Sequence, residues 1–466
     1  MYGRSLISEK SKKTKFWNEY SQTMSREKLD ELHIKRLKAV LEFSYENNSF
    51  YKELYDRHGV NIYEIKTLED FKNKIPLTDK PMMQPSQKDG HLYGDNIATD
   101  NSFIAVHYAT SGTTGKPLNE AWEDYAMWRI GDSWCPAYWA AGIRPEDSFY
   151  FAYDFGQFAG FWSAYFGAIQ FGATIISGAG SGMTTEKRIL NIMDLKPTVL
   201  VATPTYALHL ANVAKKMGID TVNSSIKFQV GAGEPGTGSV PRIRARMEAA
   251  WGCKCAEVLG ISELPVVAPT CQELNGFHEN EMHQFSWVRD LKTGKEVKEG
   301  EIGERIVTSF SNYTTNWINY RTHDLVRVYN SCPCGCTWRL FKGGILGRTD
   351  NMITYKGTNI YQSAVENIIS SFDEASDYFQ LVLSRKNEED YMKVVLEPAP
   401  SVKDSELDEL GVRIRKKIKK VIGVTLPIKF VPVESLPRYE VKTKRIIDER
   451  PDEYKMKISK QFKTFE

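Results

Sequence analysis

The sequence predicts an α/β fold, split between a large N-terminal domain and a small α+β C-terminal domain. Three observations carry this. The 466 residues exceed what one hydrophobic core serves, so two or three domains follow from size. Between Gly172 and Leu210 the chain reads GATIISG, TTEKRILNIMDLKP and TVLVATP, the strand–helix–strand rhythm of a parallel sheet. From Asp350 onward, charged helices alternate with short strands. The expected domains are therefore 1–349 and 350–466.

Composition narrows the class. A hydrophobic fraction of 41% and a charged fraction of 26% are those of an ordinary soluble protein. A net charge of +2 gives no reason to expect nucleic acid as a partner. No apolar run reaches membrane-spanning length, and MYGRSLISEKSKKTKFW lacks the apolar core of a signal peptide. A cytoplasmic enzyme is the expectation, and seven cysteines, an odd number, argue against a disulfide framework.

Taken in order, residues 16–75 read as helical, because Trp17, Leu29, Leu32, Leu37, Val40, Leu41 and Tyr45 recur at helix-like spacing. LEDFKNKIPLTDK follows as a connector with a short helix ending at Pro76. Phe103 to Tyr108 is a short strand, and Trp122 to Trp139 an aromatic-rich helix. The run Phe149 to Phe161 reads as a buried strand entering a turn, and such aromatic surface also lines small-molecule pockets. Thr184 to Glu186 are placed to cap the next helix, and IKFQVGAGEP puts Gly231 to Pro235 at a strand end, where open α/β sheets place ligands. Tyr320-Arg321-Thr322-His323-Asp324 follows the strand GERIVTSF. SVKDSELDELGVRIRKKIKKVIG is one amphipathic helix with a basic second half.

The densest chemistry lies in Tyr108-Ala109-Thr110-Ser111-Gly112-Thr113-Thr114-Gly115-Lys116-Pro117. Glycines let backbone turn tightly beside a ligand, consecutive amides form an anion-binding nest, and hydroxyls and Lys116 add donors. This suits a polyphosphate, although the Walker A spacing is absent and a Ser/Thr/Gly-rich run also reads as a plain surface loop. A second cluster comprises Cys271 and His278 in TCQELNGFHENEMH, with Cys332, Cys334 and Cys336 in SCPCGCTW. Thiolates and imidazole at this density suit zinc, while buried apolar cysteines or a redox pair are the plainer readings.

YATSGTTGKP resembles the phosphate-binding signature of the adenylate-forming enzymes: acyl-CoA synthetases, luciferases and peptide-synthetase adenylation domains. The helical N-terminus resembles their phenylacetate-CoA ligase branch, and the likeness spans nearly the whole chain. It implies a small barrel-like subdomain within the N-terminal domain and a homodimer, since relatives are often dimers. It implies that Ser111, Gly112, Thr113, Thr114, Gly115 and Lys116 hold the β- and γ-phosphates of ATP. Gly233, Glu234 and Pro235 match the family's adenine turn. Leu259-Gly260-Ile261-Ser262-Glu263 resembles its Tyr-Gly-x-Thr-Glu element, where Ser262 would contact phosphate and Glu263 would hold Mg²⁺, with Leu259 replacing the aromatic residue. Asp324 matches the ribose-binding aspartate, with His323 in the place of a commoner glycine.

Gly347-Arg348-Thr349-Asp350 resembles the hinge motif, with Arg348 on the nucleotide and Asp350 as pivot. The mobile C-terminal lysine aligns with Lys442, Val441 standing in the glycine position and Lys444 being the alternative. Tyr153 and Phe158 would border an aryl substrate, while Asp154 and Gln157 leave room for a polar ring substituent. By the same resemblance, Cys271, His278, Cys332 and Cys334 close a structural Zn²⁺ site, with Cys336 as a substitute and His283 as a spare ligand. The implied activity is an ATP-dependent aryl-CoA ligase, with Lys442 and Glu263 as catalytic residues and a carboxylic acid, ATP and CoA as partners. A carrier-protein thiol, an amine or a hydroxyl as acceptor stays open, as does a nucleotide-binding relative without catalysis.

Overall fold

A computed structural model of the chain describes residues 14–88, 90–110, 117–157, 159–234, 236–349, 352–355, 358–386, 389–437 and 445–451. The described chain is α/β and divides into two compact units. The first holds residues up to 239, 244–322 and 326–344; the second holds 240–243, 323–325 and the residues from 345 onward.

The N-terminal helices start where their caps dictate. Ser25 accepts a hydrogen bond from the Lys28 amide at the head of Arg26–Asn47, and Asn48 does the same for Ser49–Arg57. Thr67 and Asp70 form a reciprocal capping box on Leu68–Lys74. The buried stripe Leu37, Val40 and Leu41 joins Phe285, Trp287, Ile306 and Val307 in one core, so these helices cover a sheet rather than standing apart.

That sheet runs Gln284–Arg289, Ile302–Ser309, Tyr320–Tyr329, Leu340–Phe341 and Phe277–His278, with Gly347–Arg348 paired to Tyr320–Tyr329. The segment Tyr320 to Asp324 follows the strand Ile302–Ser309 in the chain, as expected, and itself begins the next strand. A parallel sheet is ordered Thr174–Ser177, Ser148–Phe151, Val199–Val201, Phe228–Gly231 and Lys254–Leu259, with Ala268–Pro269 antiparallel at its edge. Phe149, Phe151, Val199 and Val201 enter one core, and Tyr150 and Leu200 another. Alternate residues are apolar on both faces because helices cover both, the usual condition of parallel strands.

Ile104–Ala109 and Asn119–Glu123 pair antiparallel, Tyr108 opposite Glu120. Trp122 therefore belongs to a strand, and the helix begins only at Asp124 and runs to Ala140.

In the second unit, Ile428–Phe430, Glu389–Pro398, Ala375–Lys386 and Ile446–Asp448 form a four-stranded sheet. Helix Leu407–Ile422 lays Leu410, Ile414 and Ile418 into the core beneath it. No helix among the described residues is long and apolar enough to cross a membrane.

Candidate nucleotide site and thiol–imidazole cluster

The paired strands Ile104–Ala109 and Asn119–Glu123 flank in sequence the segment expected to hold phosphate. Ser111, Gly112, Thr113, Thr114, Gly115 and Lys116 lie outside the described residues, but their neck does not. Thr110 N–H donates to the Leu118 carbonyl at 2.9 Å, and Leu118 N–H donates to Thr110 Oγ1 at 3.0 Å, closing the base of the loop. Lys80 Nζ donates to the same Thr110 Oγ1 at 2.6 Å and stands 4.0 Å from Glu263 Oε1. One ammonium therefore links the loop neck to the carboxylate that the sequence marked for Mg²⁺. Behind it Glu120 is buried, accepting from Thr315 Oγ1 at 2.9 Å and Trp317 Nε1 at 3.2 Å. Burial, then the negative charge of Glu263, pushes Glu120 well above the usual carboxylate range, which favours its protonated form. Lys80 and Glu120 carried no sequence signal: a lysine beside a proline and a glutamate in a strand are commonplace.

Gly233 takes φ +89°, a conformation that suits glycine in a tight turn, and Pro235 lies outside the described residues. Glu234 turns its Oε1 onto the Thr205 amide at 2.6 Å, binding the turn to the first turn of helix Pro204–Lys216. The rest of the turn is held by Glu257, whose Oε2 accepts the backbone N–H groups of Gly236, Gly238 and Ser239 at 3.2, 2.7 and 3.0 Å. Burial pushes Glu257 up to about 7 although these donors pull it down. Ser262 is buried one residue before Glu263, past the end of Lys254–Leu259.

In the second unit Asp324 is buried, and its Oδ1 accepts from Arg348 Nη1 at 2.7 Å across the short strand pair. His323 occupies φ +63°, a left-handed conformation uncommon for a residue with a side chain and the one a glycine would take without cost, and its Nδ1 lies 3.0 Å from Thr349 Oγ1. Asp350, Lys442 and Lys444 lie outside the described residues.

Tyr153 is buried and stacks on Phe161 with ring centroids 3.9 Å apart, and its hydroxyl donates to the Phe161 carbonyl at 3.2 Å. Phe158 lies outside the described residues. Asp154 is engaged by Arg188 Nη2 at 3.1 Å and by the Gly180 amide at 3.2 Å, which ties it into the fold.

Cys271, His278, Cys332 and Cys334 come together with their Nδ1/Nε2 and Sγ ligand atoms all within 4.8 Å of one another. Cys271 Sγ is 3.5 Å from Cys332 Sγ, and His278 Nε2 is 3.2 Å from Cys334 Sγ. These approach the ~3.5–3.8 Å edges of a tetrahedron with Zn–S and Zn–N bonds of about 2.3 and 2.0 Å. His278 Nδ1 lies 3.1 Å from the Trp338 carbonyl, which can only accept, so Nδ1 carries a proton and Nε2 is the nitrogen turned to the thiols. Burial pulls the imidazole down, but its hydrogen bonds to Cys271 and Cys336 push it up to about 11. The Cys336 amide donates to Cys334 Sγ at 3.4 Å. The hydrogen bond from Cys334 holds the Cys271 thiol down, to about 3, while the same bond pushes Cys334 up. His283 instead meets Ser311 Oγ at 3.0 Å and Asp132 Oδ2 at 3.1 Å.

Residues 37–311 match the AMP-binding enzyme family and residues 357–450 its AMP-binding enzyme C-terminal domain. A phenylacetate-coenzyme A ligase of Thermus thermophilus is 32% identical over 449 residues, covering 92% of this chain and 98% of the relative. One of Escherichia coli is 30% identical over 440 residues, covering 92% and 97%. Among solved structures, a 2-hydroxyisobutyryl-CoA ligase in the postadenylation state, bound to an acyl-AMP, superposes with a TM-score of 0.87 at 26% identity over 94% of this chain and 93% of that one. The same ligase with 2-HIB-AMP and CoA gives 0.70 at 27% identity, with the same coverage.

Proposed function

The chain belongs to the AMP-binding enzyme family, and on that premise we infer that it is an ATP-dependent aryl-CoA ligase. A carboxylate is a poor electrophile because its leaving group would be oxide. Its oxygen attacks the α-phosphate of ATP, pyrophosphate departs, and the acyl-adenylate gains AMP as a good leaving group. The CoA thiol then attacks the acyl carbon, giving a thioester and AMP. Charge develops on phosphoryl oxygens, so catalysis here is positioning and electrostatic stabilisation.

The observation that carries this reading is the convergence of the Thr110 neck, Lys80 and Glu263. Ser111 to Lys116 cradle the phosphates, Gly233 to Pro235 receive the adenine, Ser262 contacts phosphate, and Asp324 and Arg348 take the ribose and nucleotide. Lys442 supplies positive charge in the first half-reaction and leaves as the C-terminal domain turns about Asp350. Glu263 suits Mg²⁺: one carboxylate beside substrate phosphates is how that ion is usually held, and it would neutralise phosphate charge.

Cys271, His278, Cys332 and Cys334 would hold a Zn²⁺ that ties two distant segments together. Three sulfurs and one nitrogen leave no open position, so the metal is structural. Cytoplasmic location and a homodimer complete the reading.

One observation favours a second class of acid. Phe161 already covers a face of Tyr153 and takes its hydroxyl, and a solved relative carries a 2-hydroxyisobutyryl group, so small hydroxy acids stand beside aryl acids as substrates. The test is pyrophosphate release with Mg·ATP over phenylacetate, benzoate and 2-hydroxyisobutyrate, each with and without CoA. Release for one acid, with thioester and AMP only when CoA is added, is the expected result. Release without CoA turnover would move the acceptor elsewhere, and none at all would overturn the ligase.

A further inference from the structure

We propose that Lys80 is a catalytic residue of the adenylation step, an ammonium delivered from outside the phosphate loop that stabilises charge on the departing pyrophosphate; this rests on the ligase reading above.

The fold takes trouble to place it. Thr78 N–H donates to the Asn319 carbonyl at 3.0 Å, Thr78 Oγ1 donates to the Ile318 carbonyl at 2.7 Å, and the Arg321 amide donates to the Thr78 carbonyl at 2.9 Å. This pins the backbone two residues before Lys80 to the start of the Tyr320–Tyr329 strand. A flexible four-carbon side chain is thereby rooted at a fixed point, and its Nζ lands between the loop neck and Glu263.

The contacts do not read as a structural ion pair. A separation of 4.0 Å from Glu263 is loose, and partly exposed pairs of that kind contribute little to stability. An ammonium has three donors, and Thr110 Oγ1 takes one of them. Glu120 lies behind in a protonation-favouring environment, so the lysine charge is not cancelled from that side. What remains is a positive centre beside Thr110, next to the carboxylate suited to a divalent cation.

The step it serves is balanced as written. A carboxylate oxygen forms a bond to the α-phosphorus, the bond from that phosphorus to the bridging oxygen breaks, and its electron pair leaves on pyrophosphate. Lys80 donates a hydrogen bond to a β- or γ-phosphate oxygen and keeps its proton. No pyrophosphate takes part when CoA attacks the adenylate, so Lys80 is dispensable there.

The experiment separates the half-reactions in the full chain. Lys80→Gln keeps a donor for Thr110 but removes the charge; Lys80→Met removes both; Lys80→Arg retains charge. Acid-dependent pyrophosphate release is measured with phenylacetate, or with whichever acid of the panel is turned over, alongside CoA-dependent consumption of the matching synthetic acyl-adenylate. The expected result is a fall of about a hundredfold in adenylation for the Gln and Met variants, partial retention in Arg, and less than about twofold change with supplied adenylate. Wild-type adenylation by Lys80→Gln overturns the proposal. An equal fall in both half-reactions accompanied by a lower Tm also overturns it, making Lys80 a brace of the loop neck. A wild-type enzyme that releases no pyrophosphate with any acid counts against the ligase reading itself, and the proposal falls with it.

Discussion

Glu263 and Cys334 show what single side chains do in this molecule. Glu263 offers a hard oxygen beside the loop neck, and Glu263→Gln keeps its shape while removing the charge a divalent cation needs. Adenylation by this variant falls about a hundredfold in steady-state pyrophosphate release, with the far-ultraviolet circular dichroism unchanged. A rate within a few-fold of wild type would contradict the proposed role of Glu263 as a magnesium ligand. Cys334 lies against both His278 and the Cys336 amide. Cys334→Ser is expected to bring zinc, measured by plasma emission on purified protein, from about one equivalent to well below one, and to lower Tm. Lys80 marks the limit of reading residues from sequence. Its partners Thr110 and Glu263 are remote in the chain, and the pairing of Thr78 with Tyr320 roots the lysine's own backbone two residues away.

Two turns carry the element scale. The hairpin between Cys271 and His278 depends on Gly276, at φ +139°, where an added Cβ would run into the Phe341 carbonyl. Gly276→Ala should cost about 1–3 kcal/mol by chemical denaturation and weaken metal retention, because it displaces the strand that carries His278. The turn Gly236 to Ser239 depends on Glu257, whose folded pKa of about 7 exceeds its ordinary value. The folded state therefore binds the proton more tightly. That contribution to stability is full below about pH 4.5 and is lost as pH rises through about 7. Glu257→Gln mimics the protonated acid, so the Tm of wild type minus that of the variant should decrease between pH 5 and pH 8; a difference independent of pH would show that Glu257 does not titrate there. The strands were legible where alternation and length agreed, as in TVLVATP and IKFQVG, and Thr184 caps its helix as its position suggested. Trp122 was read into the helix because an aromatic-rich run has no period, whereas its strand is fixed by pairing with Val106.

Across the whole molecule, the two-step chemistry divides the residues into those needed for making the adenylate and those needed for consuming it. Lys442→Ala should abolish acid-dependent pyrophosphate release yet leave CoA-dependent turnover of supplied adenylate within a few-fold of wild type; loss of both would return the choice to Lys444 or to a structural tail. The family was readable because SGTTGKP gathers glycines, hydroxyls and a lysine in consecutive residues, an order specific enough to carry the resemblance. The cysteine cluster was readable as composition, but its closure needed the fold, since Cys271 and Cys332 meet only through the sheet pairing of Phe277–His278 with Leu340–Phe341. The buried carboxyl behind the loop neck was not readable at all, because Glu120 faces Thr315 and Trp317 across a tertiary contact.

The central claim is that a carboxylate oxygen attacks the α-phosphate of ATP. It is tested most directly by turning over the accepted acid, labelled with heavy oxygen in both carboxylate positions, together with Mg·ATP and CoA, and reading the nucleotide product by mass spectrometry. The account predicts AMP carrying one labelled oxygen, with unlabelled pyrophosphate. Label in inorganic phosphate alongside ADP, or AMP without label, would contradict it.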